Sequence, residues 1–288
     1  MILLTGATGT VGGQVARRLP AAVPVRLLAR DPERAAALAG PHAEVVGGDF
    51  EDPASLRRAL TGVRSALLVT TNPLTHSHDE SFLTAARAAG VGHAVKLTTL
   101  SVTEPDATDL ITQWQRENER LLRASGLSWT LLRPRAFMSN TLGWARSIRA
   151  EGLVRSANGT VATAAIDPRD IADVAVRALM DPEKHTARTY ALTGPAGVTP
   201  MEQKEILGEL LQRPLKFVEL TDDQVLRGLI ARYPEPLAHA LAESAARGRH
   251  GSKAQVEPTV AELLGRPARG YREWAAEQLA EFGGPAAG

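Results

Sequence analysis

Three glycines in the first twelve residues, spaced Gly6-x-x-Gly9-x-x-Gly12, constrain this chain more than any other feature. They follow a short apolar run, Ile2 to Leu4, that reads as a buried strand. A helical stretch comes next and runs to Leu19, where Pro20 stops it. In this setting Gly6 permits a tight turn and Gly9 lets the backbone come close to a pyrophosphate. Gly12 lets the helix pack closely on the strand. The free N–H groups and the positive end of the helix dipole then face an anion. Glycines alone would be weak evidence; the strand before and the helix after supply the context that the pattern requires.

With 288 residues, the chain has room for one large domain, or a domain with a smaller lobe, around a substantial core. A formal net charge of +1 gives no reason to expect nucleic acid or an anionic membrane as partner. The cations are 28 Arg and 5 Lys, so an arginine informs only where its position is special. The absence of cysteine excludes disulfides, thiolate metal sites and cysteine nucleophiles, and fits a reducing compartment. The N-terminus enters a strand at once, and no apolar run is long enough to cross a bilayer. The expectation is a soluble, cytoplasmic protein acting on a small molecule, as monomer or homodimer.

Strand-like and helical runs alternate through the first half. Strands are expected at 25–29, 44–48, 65–70, 93–98 and 127–132. Asp31-Pro32 and Asp52-Pro53 each read as a helix cap followed by proline at the first helical position, the first helix running to about residue 39. Helices are also expected at 79–89, with Asp79 as cap, and at 110–124. This rhythm implies right-handed βαβ units and an α/β, doubly wound parallel sheet. Further sheet is expected at 160–166 and 189–193, with a helix opening at Asp167-Pro168. Thr199-Pro200-Met201-Glu202 reads as a capping box. From 195 the pattern turns mostly helical. The expected organisation is a dinucleotide-binding domain over 1–135 that regains elements from 160–194. A lobe of 195–288 with 136–159 lies over the carboxyl edge of the sheet, and 283–288 form a frayed tail.

Arg30 ends the second expected strand, about 20 residues past the glycine turn, where such folds meet the adenosine ribose. An acid there would bond the ribose hydroxyls, whereas a guanidinium pairs with a 2′-phosphate, which points to NADP(H). Asp49 and Phe50 sit where adenine would lie, or serve as a turn residue and a core ring. Thr70, Thr71 and Asn72 follow the fourth strand at the ligand-bearing edge. His76 and His78 lack the spacing of a metal pair, and no metal is expected. Phe137, Met138 and Trp144 suit an apolar substrate pocket or simple packing, and His76 is a candidate neighbour of the substrate.

The chain resembles the NmrA-like branch of the atypical short-chain dehydrogenase/reductases, with the type-2 NADPH:quinone reductases as nearest subgroup. The resemblance rests on Thr5 to Gly12, Leu28-Ala-Arg30-Asp-Pro, Gly48-Asp-Phe50, Lys96 to Ser101, the string from Glu119 to Asn140, Asp167 to Ala172 and Tyr190 to Pro195. It covers about the first 200 residues. It implies a pyrophosphate held by Thr8, Gly9, Thr10, Val11 and Gly12, a 2′-phosphate on Arg30, and Thr70 to Asn72 on the ribose side. Thr98 and Thr99 fall where related reductases place a serine near the nicotinamide.

Two departures matter. The usual Tyr-x-x-x-Lys proton donor cannot exist on the helix at 110–124, which has neither residue. Members of the branch often carry a histidine four residues before the acid matched by Glu119, and here that position is Gln115. The expected activity is hydride transfer from NADPH to a quinone, enone or polyketide-type carbonyl, with Thr98, Thr99 and Gln115 as catalytic candidates. Arg133 and Arg135 are candidates for stabilising an oxyanion. The rival reading is a non-catalytic NAD(P)-binding redox sensor.

Overall fold

The computed structural model describes residues 1–37, 43–75, 77–250 and 252–285. The chain begins β1 (Ile2–Thr5), α1 (Thr10–Arg18), β2 (Val25–Ala29), α2 (Pro32–Ala36), β3 (Ala43–Gly47), α3 (Pro53–Leu60), β4 (Ser65–Leu68) and α4 (Ser77–Ala88). It continues through β5 (His93–Leu97), α5 (Leu110–Ala124), β6 (Ser128–Pro134), α6 (Ala145–Glu151), β7 (Leu153–Ser156), α7 (Pro168–Met180), α8 (Pro182–His185) and β8 (Arg188–Leu192). The remainder is α9 (Pro200–Leu210), β9 (Lys216–Glu219), α10 (Asp222–Ile230), α11 (Glu235–Arg247), α12 (Thr259–Leu264) and α13 (Tyr271–Glu277). None of the described helices is long and apolar enough to cross a membrane.

Seven strands form one sheet in the order β3-β2-β1-β4-β5-β6-β8, parallel from β3 through β6. The expected doubly wound α/β class is therefore the observed one. Central strands β1 and β4 are buried along their whole length, as a sheet covered on both faces requires. The order reverses at β1, which lies between β2 and β4, and this opens a crevice at their carboxyl ends. Thr5 ties that point together: its hydroxyl donates to the Leu67 carbonyl at 3.1 Å and accepts from the Val69 N–H at 2.8 Å.

Local chemistry explains the elements. Asp31 and Asp52 cap α2 and α3 by accepting from the Arg34 and Ala54 N–H groups, each with proline next in line. The expected extension of the first of these helices to residue 39 ends outside the described residues. Asp79 is not a cap. The helix starts at Ser77, and Asp79 lies buried within its first turn.

The chain divides into two compact units. The first, comprising Met1–Thr103, Thr112–Pro134 and Pro168–Ala191, holds β1 to β6 with their helices. In it α7 packs on α1 and on β4, β5 and β6. The second comprises Glu104–Ile111, Arg135–Asp167 and Leu192–Gly288. Its core gathers Met138, Ile148, Leu207, Tyr271, Trp274 and Phe282, with Trp144 packed against it. The capping box at Thr199 and Glu202 forms as expected. The strand expected at 160–166 does not: those residues make isolated bridges, Phe137 to Ile166 and Thr163 to Val198. β7, which pairs in parallel with β9, has no counterpart in the sequence reading. Of the tail, Gly283 and Gly284 donate to the Ala280 and Leu279 carbonyls, and 286–288 lie outside the described residues.

Candidate active site

The glycine turn has the geometry its spacing implies. Gly6 takes a φ of +62°, and Gly9 donates back to the Gly6 carbonyl at 2.9 Å, closing the turn. A Cβ on Gly12 would lie 2.2 Å from the Gly6 carbonyl oxygen, so only glycine lets α1 start this close to the turn. α1 has Gly9 at its N-cap, no capping side chain and no acid in its first turn. That contrasts with α2 and α3, whose first N–H groups are satisfied by aspartates. The first-turn N–H groups of α1 are thus left open to an anion.

The glycine turn that precedes them lines a cavity of about 360 Å³. Its walls come from the carboxyl ends of four strands: Gly6 to Gly9 after β1, Arg30 after β2, Gly48 to Glu51 after β3, and Val69 to Asn72 after β4. Arg30 is exposed at the rim and has no hydrogen-bond or ion-pair partner among the described residues. Asp49 accepts from the Glu51 N–H at 3.0 Å. Phe50 stacks on His78 with centroids 5.3 Å apart, and His78 in turn meets Glu51 at 3.3 Å. Asn72 folds its own loop, accepting from the Leu74 N–H at 3.1 Å. A glycine turn leading into an open helix end, an unpaired guanidinium and a flat aromatic wall around one cavity fit a dinucleotide phosphate.

Thr70 is tied down differently. Its hydroxyl donates to Asp79 at 2.7 Å and accepts from Lys96 at 3.1 Å, and Lys96 is ion-paired with Asp79 in full burial. Sequence reading missed this triad, because its partners lie 9 and 26 residues away along the chain. The ion pair props the carboxyl end of β4 from behind the cavity.

The catalytic candidates lie around α5. Thr98 donates to Glu119 at 3.0 Å. Glu119 also receives both arms of Arg133 and lies near Arg123. Thr99 accepts from the Ser101 N–H at 3.3 Å. Gln115 is buried, and its Oε1 has no partner. Arg135 pairs with Glu104 in the second unit, so both arginines considered for an oxyanion are already committed to carboxylates. Met138 and Trp144 pack in the core of the second unit, Phe137 is half-buried, and His76 lies outside the described residues.

At the amino end of β5, His93 contacts the Ser128 hydroxyl at 2.8 Å and the Thr130 hydroxyl at 3.0 Å. Burial, reinforced by His185, lowers its pKa to about 4, so it stays neutral and structural.

Comparison with known proteins agrees with this geometry. A model of the NAD(P)H-binding family matches residues 6–182. A (4-alkanoyl-5-oxo-2,5-dihydrofuran-3-yl)methyl phosphate reductase of Streptomyces griseus is 52% identical over 282 residues, covering 98% of this chain and 99% of that protein. An NAD(P)H azoreductase of Xenophilus azovorans is 36% identical over 288 residues, covering 98% and 99%. The crystal structure of the Escherichia coli NADPH-dependent quinone oxidoreductase QOR2 with NADPH superimposes with a TM-score of 0.83 at 27% identity, over 97% of this chain and 99% of that one. The chain therefore belongs to the NAD(P)H-binding family and is an NAD(P)H-dependent reductase of the atypical short-chain dehydrogenase/reductase class.

Proposed function

We propose that this protein uses NADPH to reduce a carbon–carbon double bond conjugated to carbonyls, in a small butenolide with a phosphomethyl arm or a close analogue. The observation that carries this reading is the full-length similarity, at 52% identity, to a reductase named for such a phosphate ester. In a 4-alkanoyl-5-oxo-2,5-dihydrofuran the ring alkene is conjugated to both the lactone and the alkanoyl carbonyl. It is an acceptor of the enone class expected from the sequence. Bound NADPH supplies a hydride. The alkene takes it at the carbon bearing the phosphomethyl arm, and the π pair moves towards the carbonyl oxygens as an enolate. A proton from water at the neighbouring carbon completes the two-electron reduction. An enolate stabilised by two carbonyls has little need of a strong protein acid, which suits a chain without a Tyr-x-x-x-Lys pair on α5.

In this reading the open N–H groups of Thr10, Val11 and Gly12, with Thr8 and Gly9, hold the pyrophosphate. Gly6 sets the turn. Arg30 holds the 2′-phosphate, a role supported by its unpaired position at the cavity rim. Asp49 and Phe50 border the adenine, Thr71 and Asn72 border the ribose, and Thr70 stiffens that wall from behind.

The test is to follow NADPH and NADH oxidation against the alkanoyl butenolide phosphate, quinones and azo dyes. Oxidation that favours NADPH and the butenolide, with the cofactor preference lost in Arg30→Ala, is the expected result. NADPH binding without reduction of any acceptor would overturn the reading in favour of a redox sensor.

A further inference from the structure

The buried face of α5 carries three polar side chains that each hold one atom without a hydrogen-bond partner among the described residues. Trp114, Gln115 and Asn118 are only 4%, 7% and 1% exposed. Trp114 Nε1, Gln115 Oε1 and Asn118 Nδ2 each lack a hydrogen-bond partner. Residues 114 and 118 are four apart and 115 and 118 three apart, so the three occupy one patch of the helix surface. Burying polar groups without partners is costly, and native structures rarely tolerate it without a reason.

The next residue shows that the helix is not simply badly packed. Glu119 is equally buried, yet it is bonded by Thr98 and by both arms of Arg133. Trp114 connects the patch to the wall of the cofactor cavity through one buried lysine. The Trp114 ring lies 6.0 Å from Lys96 Nζ, which donates to Thr70, a residue of the cavity wall. All of these residues belong to the first unit.

We propose that Trp114, Gln115 and Asn118 form the seat for the substrate's conjugated carbonyl oxygen, the atom on which enolate charge gathers during hydride addition. This rests on the reductase reading above and adds the residues that stabilise the charge. The Trp114 indole N–H and the Asn118 amide N–H point donors at an oxygen that becomes more negative as the alkene takes the hydride. The Gln115 amide, given a half-turn about its last bond, presents its NH₂ to the same oxygen. All three groups are neutral and do not titrate near neutral pH, so they stabilise the enolate without giving up a proton. The proton that completes the product reaches carbon from water. The seat replaces the acid of the missing Tyr-x-x-x-Lys pair with fixed hydrogen bonds.

The experiment compares wild type with Trp114→Phe, Gln115→Met and Asn118→Leu in three readouts. They are butenolide phosphate turnover with NADPH, melting temperature, and binding of a 3-acyltetronate to the NADP⁺-loaded protein. A 3-acyltetronate is a stable enolate of matching shape and needs no turnover to report on the seat. Each variant is expected to lose roughly 10²-fold in kcat, the usual effect of removing one such donor. Each is also expected to bind the tetronate at least about tenfold more weakly, keep its NADPH affinity, and melt at the same or a higher temperature. Variants that keep kcat and tetronate affinity but melt lower would overturn the proposal, because the three atoms would then hold a structural water. A wild type that reduces nothing, yet binds the tetronate through these residues, would overturn the reductase reading while leaving the seat in place. A wild type that neither reduces the butenolide nor binds the tetronate would overturn both.

Discussion

α5 and α7 each bury one face in the first unit, and the two faces are built from opposite materials. The buried residues of α7 are chiefly Ile171, Ala172, Val174, Ala175, Ala178 and Leu179. Those of α5 are Thr112, Trp114, Gln115, Asn118, Glu119 and Leu122. α7 is held by apolar area and small side chains against α1 and the sheet, and contributes stability with no chemistry of its own. α5 is held partly by one well-made ion pair, Glu119 with Arg133, and carries three unsatisfied polar atoms beside it. The difference teaches where this fold keeps its reserves: one helix secures the sheet, and the other holds polar groups in a state that suits a ligand better than it suits the empty protein.

The largest effect that would sharpen this contrast is expected from Glu119→Ala. It strands the Arg133 guanidinium, leaves the Thr98 hydroxyl only its longer bond to the Leu132 carbonyl, and should cost about 4 kcal/mol in urea unfolding, in line with breaking a buried ion pair. On the other helix, Ile171→Ala removes a fully buried side chain and should cost about 3 kcal/mol, with NADPH affinity unchanged. A loss of cofactor binding in that variant would break the view of α7 as a stabiliser alone.

His93 offers a satisfied counterpart to the α5 patch, since both of its ring nitrogens have partners. Its pKa is about 4 when folded, against 6.5 for the free side chain. The folded protein therefore resists protonating it while the unfolded chain does not. Its contribution is fully present above pH 6.5 and is lost as pH falls through about 4. Melting temperature should decline over that window, and His93→Phe should flatten the decline. A decline of equal steepness in the variant would assign it to other groups. The smallest effect is a gain: Asn118→Leu should raise stability by about 1 kcal/mol, because it removes an unsatisfied buried amide.

Much of the fold was legible because its signals are local. The glycine turn, the Asp-Pro starts of α2 and α3 and the apolar runs of β1, β2 and β4 each announce themselves within a few residues, and the doubly wound parallel class follows from their alternation. The cavity was legible for the same reason, since Arg30, Asp49, Phe50, Thr71 and Asn72 follow directly on sheet strands. What could not be read depends on distant partners. Asp79 looks like a cap until Lys96 is brought beside it, and the run 160–166 looks like a strand until its backbone is seen to pair only at single residues. β7 is four residues long with only two apolar ones, too short for periodicity to register. On α5 a signal was present: polar residues at 112, 115 and 119 recur at the helical spacing that normally carries apolar residues into a core.

The most direct test of the account is deuteride transfer. Protein incubated with the alkanoyl butenolide phosphate and either C4-deuterated epimer of NADPH should, with one of the two, yield a saturated lactone. That product should carry deuterium on the ring carbon bearing the phosphomethyl arm. Recovery of the unsaturated butenolide unlabelled, with NADPH bound and intact, would contradict the account.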